Sequence, residues 1–123
     1  MKEGNKMKIS DSEMEIMNVI WSEDLELSCA DIMQRLNTSW KQTTIQTFLK
    51  RLCDKKVLNV RKEGKTNFYS ARISEDEYKR EQTEEFLNET HKGSVKSLLA
   101  ALFGAKEPDK KELEEIKEWF EEI

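Results

Sequence analysis

One stretch of the sequence combines helical apolar spacing with an unusual polar face. The stretch is SWKQTTIQTFLKRL, residues 39–52, in which Ile45, Phe48, Leu49 and Leu52 follow the i, i+3, i+4, i+7 spacing of an amphipathic helix. The opposite side carries threonine, glutamine and lysine instead of the glutamate and lysine of most solvated helices. Threonine is a mediocre helix former, because its branched Cβ restricts the side chain against the preceding turn. The polar face therefore indicates a role beyond helix stability.

Threonine and glutamine are side chains with which a helix reads base edges in the DNA major groove. Threonine offers a hydroxyl group and a methyl group that contacts the thymine methyl, and glutamine pairs with N6 and N7 of adenine. Lysine and arginine contact phosphates, which supply affinity but little sequence information. The alternative is a solvated face without a ligand, but surface helices favour better helix formers than threonine. We predict that this helix and the basic hairpin after it bind double-stranded DNA through Lys41, Gln42, Thr43, Thr44, Gln46, Thr47, Lys50, Arg51, Arg61, Lys62, Lys65 and Thr66.

The distribution of charge supports the same interpretation. The chain of 123 residues has a net charge of −4, yet residues 39–67 contain eight lysines and arginines against two acidic residues. A local basic patch in an acidic protein is typical of a nucleic-acid interface. RNA is a less favoured ligand than DNA, because the order of elements provides no aromatic stacking sheet.

Residues for metal or catalytic chemistry are sparse. His91 is the single histidine, and the two cysteines, Cys29 and Cys53, form no C-x-x-C pair, so we predict no metal site and no cofactor. The sequence has no Gly-rich phosphate loop and no nucleophile elbow, and we predict that the protein is not an enzyme. Both cysteines lie in predicted helices, which favours reduced, buried thiols, with a disulfide or a redox switch as the alternative. No run approaches the roughly 20 apolar residues of a membrane span, so we expect a soluble, cytoplasmic protein.

Start and stop signals divide the first part of the chain into helices. Ser10 is followed three residues later by Glu13, and such a capping box opens a helix. Ser28 with Asp31 is a second N-cap signal. The second of these helices is expected to end at Asn37, and a brief strand is expected at Leu25–Leu27. The helix with the threonine face follows over about 41–55.

A β-hairpin is predicted directly after that helix. Its first strand begins at Val57, Gly64 lies at the tip, and the return strand covers 67–73. The order helix, short strand, helix, helix, hairpin predicts a winged helix-turn-helix domain over residues 1–73. The fold class is therefore mainly α with a small β-hairpin wing.

Residues 74–123 are predicted to form three further amphipathic helices. The second covers Val95–Phe103 and ends at Gly104, and the third begins at Asp109. Each has a narrow apolar stripe, and Val95–Phe103 is too apolar to remain exposed. We predict a helical dimerisation domain in a homodimer, with a compact monomer as the alternative. The apolar positions are Tyr78, Phe86, Val95, Leu98, Leu99, Leu102, Phe103, Leu113, Ile116 and Phe120.

Four segments together resemble the BlaI/MecI/CopY family of bacterial repressors. They are ISDSEMEIMNVIW, WKQTTIQTFLKRL, VRKEGKTNFYSARI and HKGSVKSLLAALF, and the resemblance covers about residues 8–123. The pattern W-x-x-x-T-I-x-T-x-x-x-R-L is fairly specific for that family. The resemblance implies a winged-helix dimer that binds pseudo-palindromic operators with TACA/TGTA half-sites. Thr44, Thr47 and Arg51 match the family in type and place, whereas Gln46 stands where some members have arginine.

The resemblance also implies how repression is relieved. In members that repress penicillinase or related resistance genes, a membrane-bound sensor metalloprotease detects β-lactam, and the repressor is cleaved in its dimerisation region. The cleaved bond, often Asn-Phe, aligns with Ala101 and Leu102, so the dipeptide differs here. Copper-responsive members carry a C-terminal cysteine cluster that this sequence lacks. The alternatives are a repressor of the same family that answers another stimulus, and a protein-interaction scaffold without DNA binding.

Overall fold

The structure, a computed structural model, describes residues 8–123, and these residues form six helices and three short strands. In chain order the elements are α1 (Asp11–Ser22), β1 (Leu27–Ser28), α2 (Cys29–Leu36), α3 (Gln42–Asp54), β2 (Leu58–Glu63), β3 (Thr66–Ala71), α4 (Glu75–His91), α5 (Val95–Ala105) and α6 (Lys110–Glu122). The chain divides into two compact units, the first ending at Gln82 and the second comprising Thr83–Ile123. The sequence-based boundary after residue 73 precedes α4, whereas the compact units divide within that helix.

The first two helices begin at the predicted N-cap residues, and both form capping boxes. The Ser10 hydroxyl accepts a hydrogen bond from the Glu13 backbone N–H at 3.2 Å, and the Glu13 carboxylate accepts one from the Ser10 N–H at 3.0 Å. Ser28 and Asp31 make the same reciprocal pair at 3.2 and 3.0 Å. Asn37 ends α2 with a left-handed φ of 49°. These local signals were sufficient to place both helices.

The wing is a β-hairpin whose return strand lies at the centre of a small antiparallel sheet. The strand order is β1-β3-β2, and Tyr69 of β3 is opposite both Leu27 of β1 and Val60 of β2. Gly64 is the first of two turn residues and has a φ of 62°, a conformation that side-chain-bearing residues rarely adopt. The brief strand predicted at Leu25–Leu27 is shifted to Leu27–Ser28, because only Leu27 and Ser28 pair with β3 while Leu25 is exposed.

One core holds the first unit together, and α3 is anchored in it. Ile45, Leu49 and Leu52 are fully buried, which confirms the predicted apolar stripe of α3. Phe48 is only half-buried and meets the Trp40 ring edge-to-face with centroids 5.2 Å apart. The other buried apolar residues are Ile9, Ile16, Met17, Ile20, Leu27, Ile32, Val57, Leu58, Tyr69, Ile73 and Tyr78.

Tyr78 corrects the predicted dimerisation stripe. It was assigned to that stripe, but it is 6% exposed and belongs to the core of the first unit. Its hydroxyl accepts a hydrogen bond from the Ile9 backbone N–H at 2.8 Å, and its ring lies 5.9 Å from that of Trp21. The Trp21 indole in turn donates to the Ile73 carbonyl at 3.0 Å. Tyr78, near the beginning of α4, therefore completes the N-terminal core.

The second unit consists of the end of α4 followed by α5 and α6. Gly93, with a φ of 80°, follows the end of α4 as predicted. Gly104 does not end α5, because the helix continues to Ala105 and the Lys106 N–H still donates to the Leu102 carbonyl at 2.8 Å. Asp109 caps α6 by accepting from the Glu112 N–H at 2.8 Å, as predicted. In residues 8–123 no helix is both long and apolar enough to cross a membrane.

Candidate nucleic-acid interface

The polar residues predicted on α3 line the side opposite its buried stripe. Seven of these eight side chains are exposed and Thr44 is half-buried, while the residues of the stripe remain inside. The exposed set is Lys41, Gln42, Thr43, Gln46, Thr47, Lys50 and Arg51. A helix anchored by one face in a core presents the other face as a rigid surface, which suits a groove-binding element.

Local hydrogen bonds fix part of this surface. The Thr47 hydroxyl donates to the Thr43 carbonyl at 3.0 Å, so its proton is used within the helix. The remaining lone pairs and the methyl group of Thr47 stay available to a ligand. Lys41 is the N-cap residue but makes no side-chain cap hydrogen bond.

The two cationic residues in the second half of α3 have weak intramolecular partners. The Lys50 ammonium lies 3.4 Å from the Asp54 carboxylate in a highly exposed pair. The Arg51 guanidinium lies 5.9 Å from the Phe48 ring centroid. Exposed contacts of this kind contribute little to stability, so a phosphate can replace them at small cost.

The wing and α3 enclose two adjoining clefts, which we call the wing clefts. The larger, of about 380 Å³, is lined by Ser28, Cys29, Ala30, Gln42, Gln46, Lys65, Thr66, Asn67 and Tyr69. The smaller, of about 340 Å³, is lined by Gln46, Lys50, Cys53, Val60, Asn67 and Tyr69. The structure thus brings five of the predicted residues together from α3 and the hairpin. It also adds Val60, Asn67 and Tyr69, which the sequence analysis missed.

Strand alternation explains the residues that were missed. Asn67 and Tyr69 are two positions apart on β3 and so share one face of the sheet, with Lys62 and Val60 opposite them. Tyr69 packs into the core at 8% exposed, which identifies this face as the one toward α3. The alternation of side chains along β3 could be predicted from the sequence. Which of its two faces would pack toward α3 could not.

Arg61 lies on the other face of the wing. It is opposite Phe68 in the register, and its guanidinium lies 5.0 Å from that ring. Its Nε donates to both carboxylate oxygens of Glu26 at 2.9 and 3.1 Å, and Nη1 donates to Glu63 at 2.9 Å. The hydrogen bonds to Glu63 and then Glu26 raise the pKa of Arg61 further. The structure therefore separates Arg61 from the predicted residues that line the wing clefts.

The two thiols and the phenol that line the wing clefts have raised pKa values. Burial raises the pKa of the Cys29 thiol, and burial followed by the charge of Asp54 raises that of Cys53. Burial also raises the pKa of Tyr69, although a side-chain hydrogen bond from Asn67 opposes the rise. Within residues 8–123, no group of three or more His, Cys, Asp or Glu is arranged to hold a metal ion. What the surface offers a ligand is hydrogen bonding and positive charge.

The second unit carries a separate apolar surface. Val95, Leu102, Phe103 and Phe120 are between 44% and 56% exposed, and α5 and α6 enclose a cleft of about 550 Å³. Phe86 is likewise 50% exposed, whereas Leu98, Leu99, Leu113 and Ile116 are half-buried. Trp119, a further exposed side chain near the end of α6, was not predicted, and Ile123, predicted on the apolar face of this helix, is also exposed. Ala101 and Leu102, the aligned cleavage position, lie inside α5 with both side chains exposed.

Comparison with known proteins gives consistent matches over most of the chain. The model of the penicillinase repressor family matches residues 9–122. A penicillinase repressor from Bacillus licheniformis is 34% identical over 93% of this chain and 88% of that protein. The penicillinase repressor of Staphylococcus aureus is 31% identical over 96% of this chain and 94% of that protein. The methicillin resistance regulatory protein MecI of Mammaliicoccus sciuri is 28% identical over 89% of this chain and 90% of that protein.

A solved structure supports the fold assignment. The solution structure of the DNA binding domain of the repressor BlaI is 38% identical, with a TM-score of 0.52, and the match covers 58% of this chain and 88% of that domain. The predicted winged-helix fold and the resemblance to BlaI and MecI are thereby confirmed. Because the family model covers almost the whole chain, the chain belongs to the penicillinase repressor family.

Proposed function

We propose that this protein is a sequence-specific transcriptional repressor that places α3 in the major groove of double-stranded DNA. The observation that carries the proposal is the exposed threonine, glutamine and lysine face of α3, opposite the fully buried Ile45, Leu49 and Leu52. The likeness to the BlaI DNA binding domain supports the same role. No charged carboxylate lies on the exposed face between Gln42 and Arg51, so nothing on that segment repels phosphate.

The residues divide into base-reading and phosphate-binding groups by their chemistry. Gln46 and Thr47 lie at the middle of the exposed face and carry both donors and acceptors, which base edges require. Lys41, Lys50 and Arg51 carry only donors and contact phosphates on either side. Lys62, Lys65 and Thr66 at the wing tip extend the phosphate contacts, with Arg61 as a weaker contributor because of its carboxylate partners.

The protein acts as a homodimer on a pseudo-palindromic operator with TACA/TGTA half-sites. Support for a dimer comes from the exposed apolar side chains of α5 and α6, which lack a covering layer within the described chain. Two linked DNA-binding units bind two half-sites with a high effective concentration, so the dimer binds far more tightly than one unit. Dimer symmetry then matches operator symmetry.

The dimer has its own test. Leu102→Asp introduces a charge on the exposed side of α5, and we expect sedimentation to shift from dimer to monomer. Lys96→Asp is the matched control, because it places the same side chain at an exposed polar position of α5. A Leu102→Asp protein that sediments as a dimer would remove the support for this interface.

The regulated genes are proposed to be β-lactam resistance genes, with repression relieved by cleavage between Ala101 and Leu102. A membrane-bound sensor metalloprotease is the proposed partner. Because this bond lies inside α5, cleavage requires that the helix open locally to an extended backbone. If the switch operates, mass spectrometry after β-lactam exposure of cells that contain the sensor finds a fragment ending at residue 101. A chain that stays intact under those conditions indicates another stimulus.

Hydroxyl-radical footprinting tests the central proposal on a duplex that carries one TACA/TGTA palindrome. We expect protection of both half-sites, related by the two-fold axis of the operator. Uniform reactivity along the duplex at protein concentrations that saturate binding would contradict sequence-specific recognition. An absence of binding would favour a winged-helix scaffold for protein interactions.

A further inference from the structure

Asn67 lies beside the proposed DNA-binding residues but has no role among them so far. It is exposed on β3 and lines both wing clefts, and Gln46 of α3 also lines both of them. Two side-chain amides from different elements thus border the same pair of clefts. This juxtaposition is produced by the fold, since the two residues are 21 positions apart in the chain.

The chemistry of an amide distinguishes Asn67 from its cationic neighbours. A phosphate accepts hydrogen bonds only, and the Lys65 ammonium in the same cleft is suited to it. An amide offers one acceptor and two donors, which matches the acceptor and donor pair that adenine presents on one edge. The amide of Asn67 is therefore better matched to a base edge than to the DNA backbone.

The neighbour of Asn67 limits its freedom. Tyr69 lies two positions from Asn67 along the same face of β3, and the two side chains line both wing clefts together. Tyr69 is buried, so its ring is held by the core. A polar side chain with a fixed neighbour loses less conformational entropy on binding than a free one.

We propose that Asn67 is a further sequence-reading residue, which acts from the wing on the base pair read by Gln46 or on its immediate neighbour. The inference rests on the proposed DNA-binding function and makes it more specific. Base recognition would then involve the face of the wing turned toward α3 as well as α3 itself.

The test measures binding of the full chain to a set of operator duplexes in which each base pair of one half-site is replaced in turn. We expect Asn67→Ala to reduce the preference for the original base pair by about tenfold at one or two positions. Those positions should lie within one base pair of the positions affected by Gln46→Ala. The salt dependence should stay unchanged, because an amide releases no counterions.

Asn59→Ala is the matched control. Asn59 is an exposed asparagine of the same hairpin. It lies two positions from Arg61, on the face of the wing that is turned away from α3. It should leave every base preference unchanged. If Asn67→Ala weakens binding to all duplexes equally or changes nothing, the inference is wrong while the proposed function stands. A wild-type protein without preference for any base pair would overturn both.

Discussion

The ammonium group of Lys55 donates a hydrogen bond to the buried carboxylate of Glu13. Lys55 is the C-cap residue of α3, and Glu13, which is 2% exposed, is the capping-box residue of α1. The same ammonium donates to the Lys8 carbonyl at 2.9 Å. One carboxylate therefore caps α1 and binds the C-cap residue of α3. The contact joins residues 42 positions apart in the chain and ties the end of α3 to the start of α1.

Lys55→Met should lower the free energy of unfolding by about 2 kcal/mol, because it leaves the Glu13 carboxylate buried without its cation. The measurement is urea denaturation followed by circular dichroism. Lys56→Met is the control, since Lys56 is exposed and has no ion pair within residues 8–123. Adding Glu13→Gln to Lys55→Met should restore part of the stability, because glutamine keeps the capping box without the charge. Equal stability of Lys55→Met and wild type would contradict this assignment.

The Glu13 carboxylate should also make the stability of the fold depend on pH in the acidic range. Burial alone would raise the pKa of Glu13, but hydrogen bonds from Lys55 and the Ser10 backbone, with the Lys55 charge, lower it below its ordinary 4.5. A lowered native pKa stabilises the fold above the ordinary value, and that stabilisation is lost as the pH falls through the native value. Unfolding free energy should therefore decrease as the pH falls below about 4.5. Glu13→Gln should make the decrease shallower, and an identical pH profile for the two proteins would exclude Glu13 as the cause.

Variants on the exposed face of α3 should change how well the protein discriminates between DNA sequences. Gln46→Ala and Thr47→Ala should each reduce discrimination between operator and scrambled DNA by about 1–3 kcal/mol, because each removes a base contact. Lys50→Ala is the contrasting variant. It should weaken both duplexes about equally and flatten the salt dependence, because a phosphate contact carries no sequence information. Anisotropy titrations of both duplexes measure these effects. If Gln46→Ala weakened both duplexes equally, its assignment to base reading would be wrong.

Glu26 is expected to compete with DNA for Arg61. Glu26→Gln should raise affinity for operator and scrambled duplex alike by a few-fold and steepen the salt dependence by up to about one counterion, because the guanidinium becomes available to a phosphate. Asp24→Asn is the control for net charge, since Asp24 lies exposed in the same loop. The gain should disappear in the double variant Glu26→Gln/Arg61→Gln. Equal gains from Glu26→Gln and Asp24→Asn would indicate a general charge effect.

Local signals in the sequence were sufficient for most of the fold. The capping boxes at Ser10 and Ser28, the spacing of Ile45, Leu49 and Leu52, and the glycine of the hairpin tip are all short-range features. Each depends on neighbours within one helical stripe or one turn, so periodicity and capping rules capture them. The helices and the wing, and hence the winged helix, followed from these features.

Long-range contacts could not be predicted in the same way. Tyr78 accepts a hydrogen bond from Ile9, 69 positions away, and this bond moved Tyr78 from the predicted dimerisation stripe into the core. The pairing of Arg61 with Glu26 and the approach of Asn67 to Gln46 also depend on how the hairpin packs against the helices. A strand pattern gives two faces, but only the packed fold shows which face lies toward α3. The sequence thus predicted the helices and the hairpin more completely than the side-chain contacts between them.

The most direct test of sequence-specific repression is fluorescence anisotropy with a labelled TACA/TGTA palindrome and a scrambled duplex of equal length, titrated over a series of salt concentrations. We predict tight binding to the palindrome with a steep salt dependence, and binding to the scrambled duplex that is weaker by about a thousandfold or more. Equal, weak binding to both duplexes would contradict the assignment of Gln46 and Thr47 as residues that read this operator.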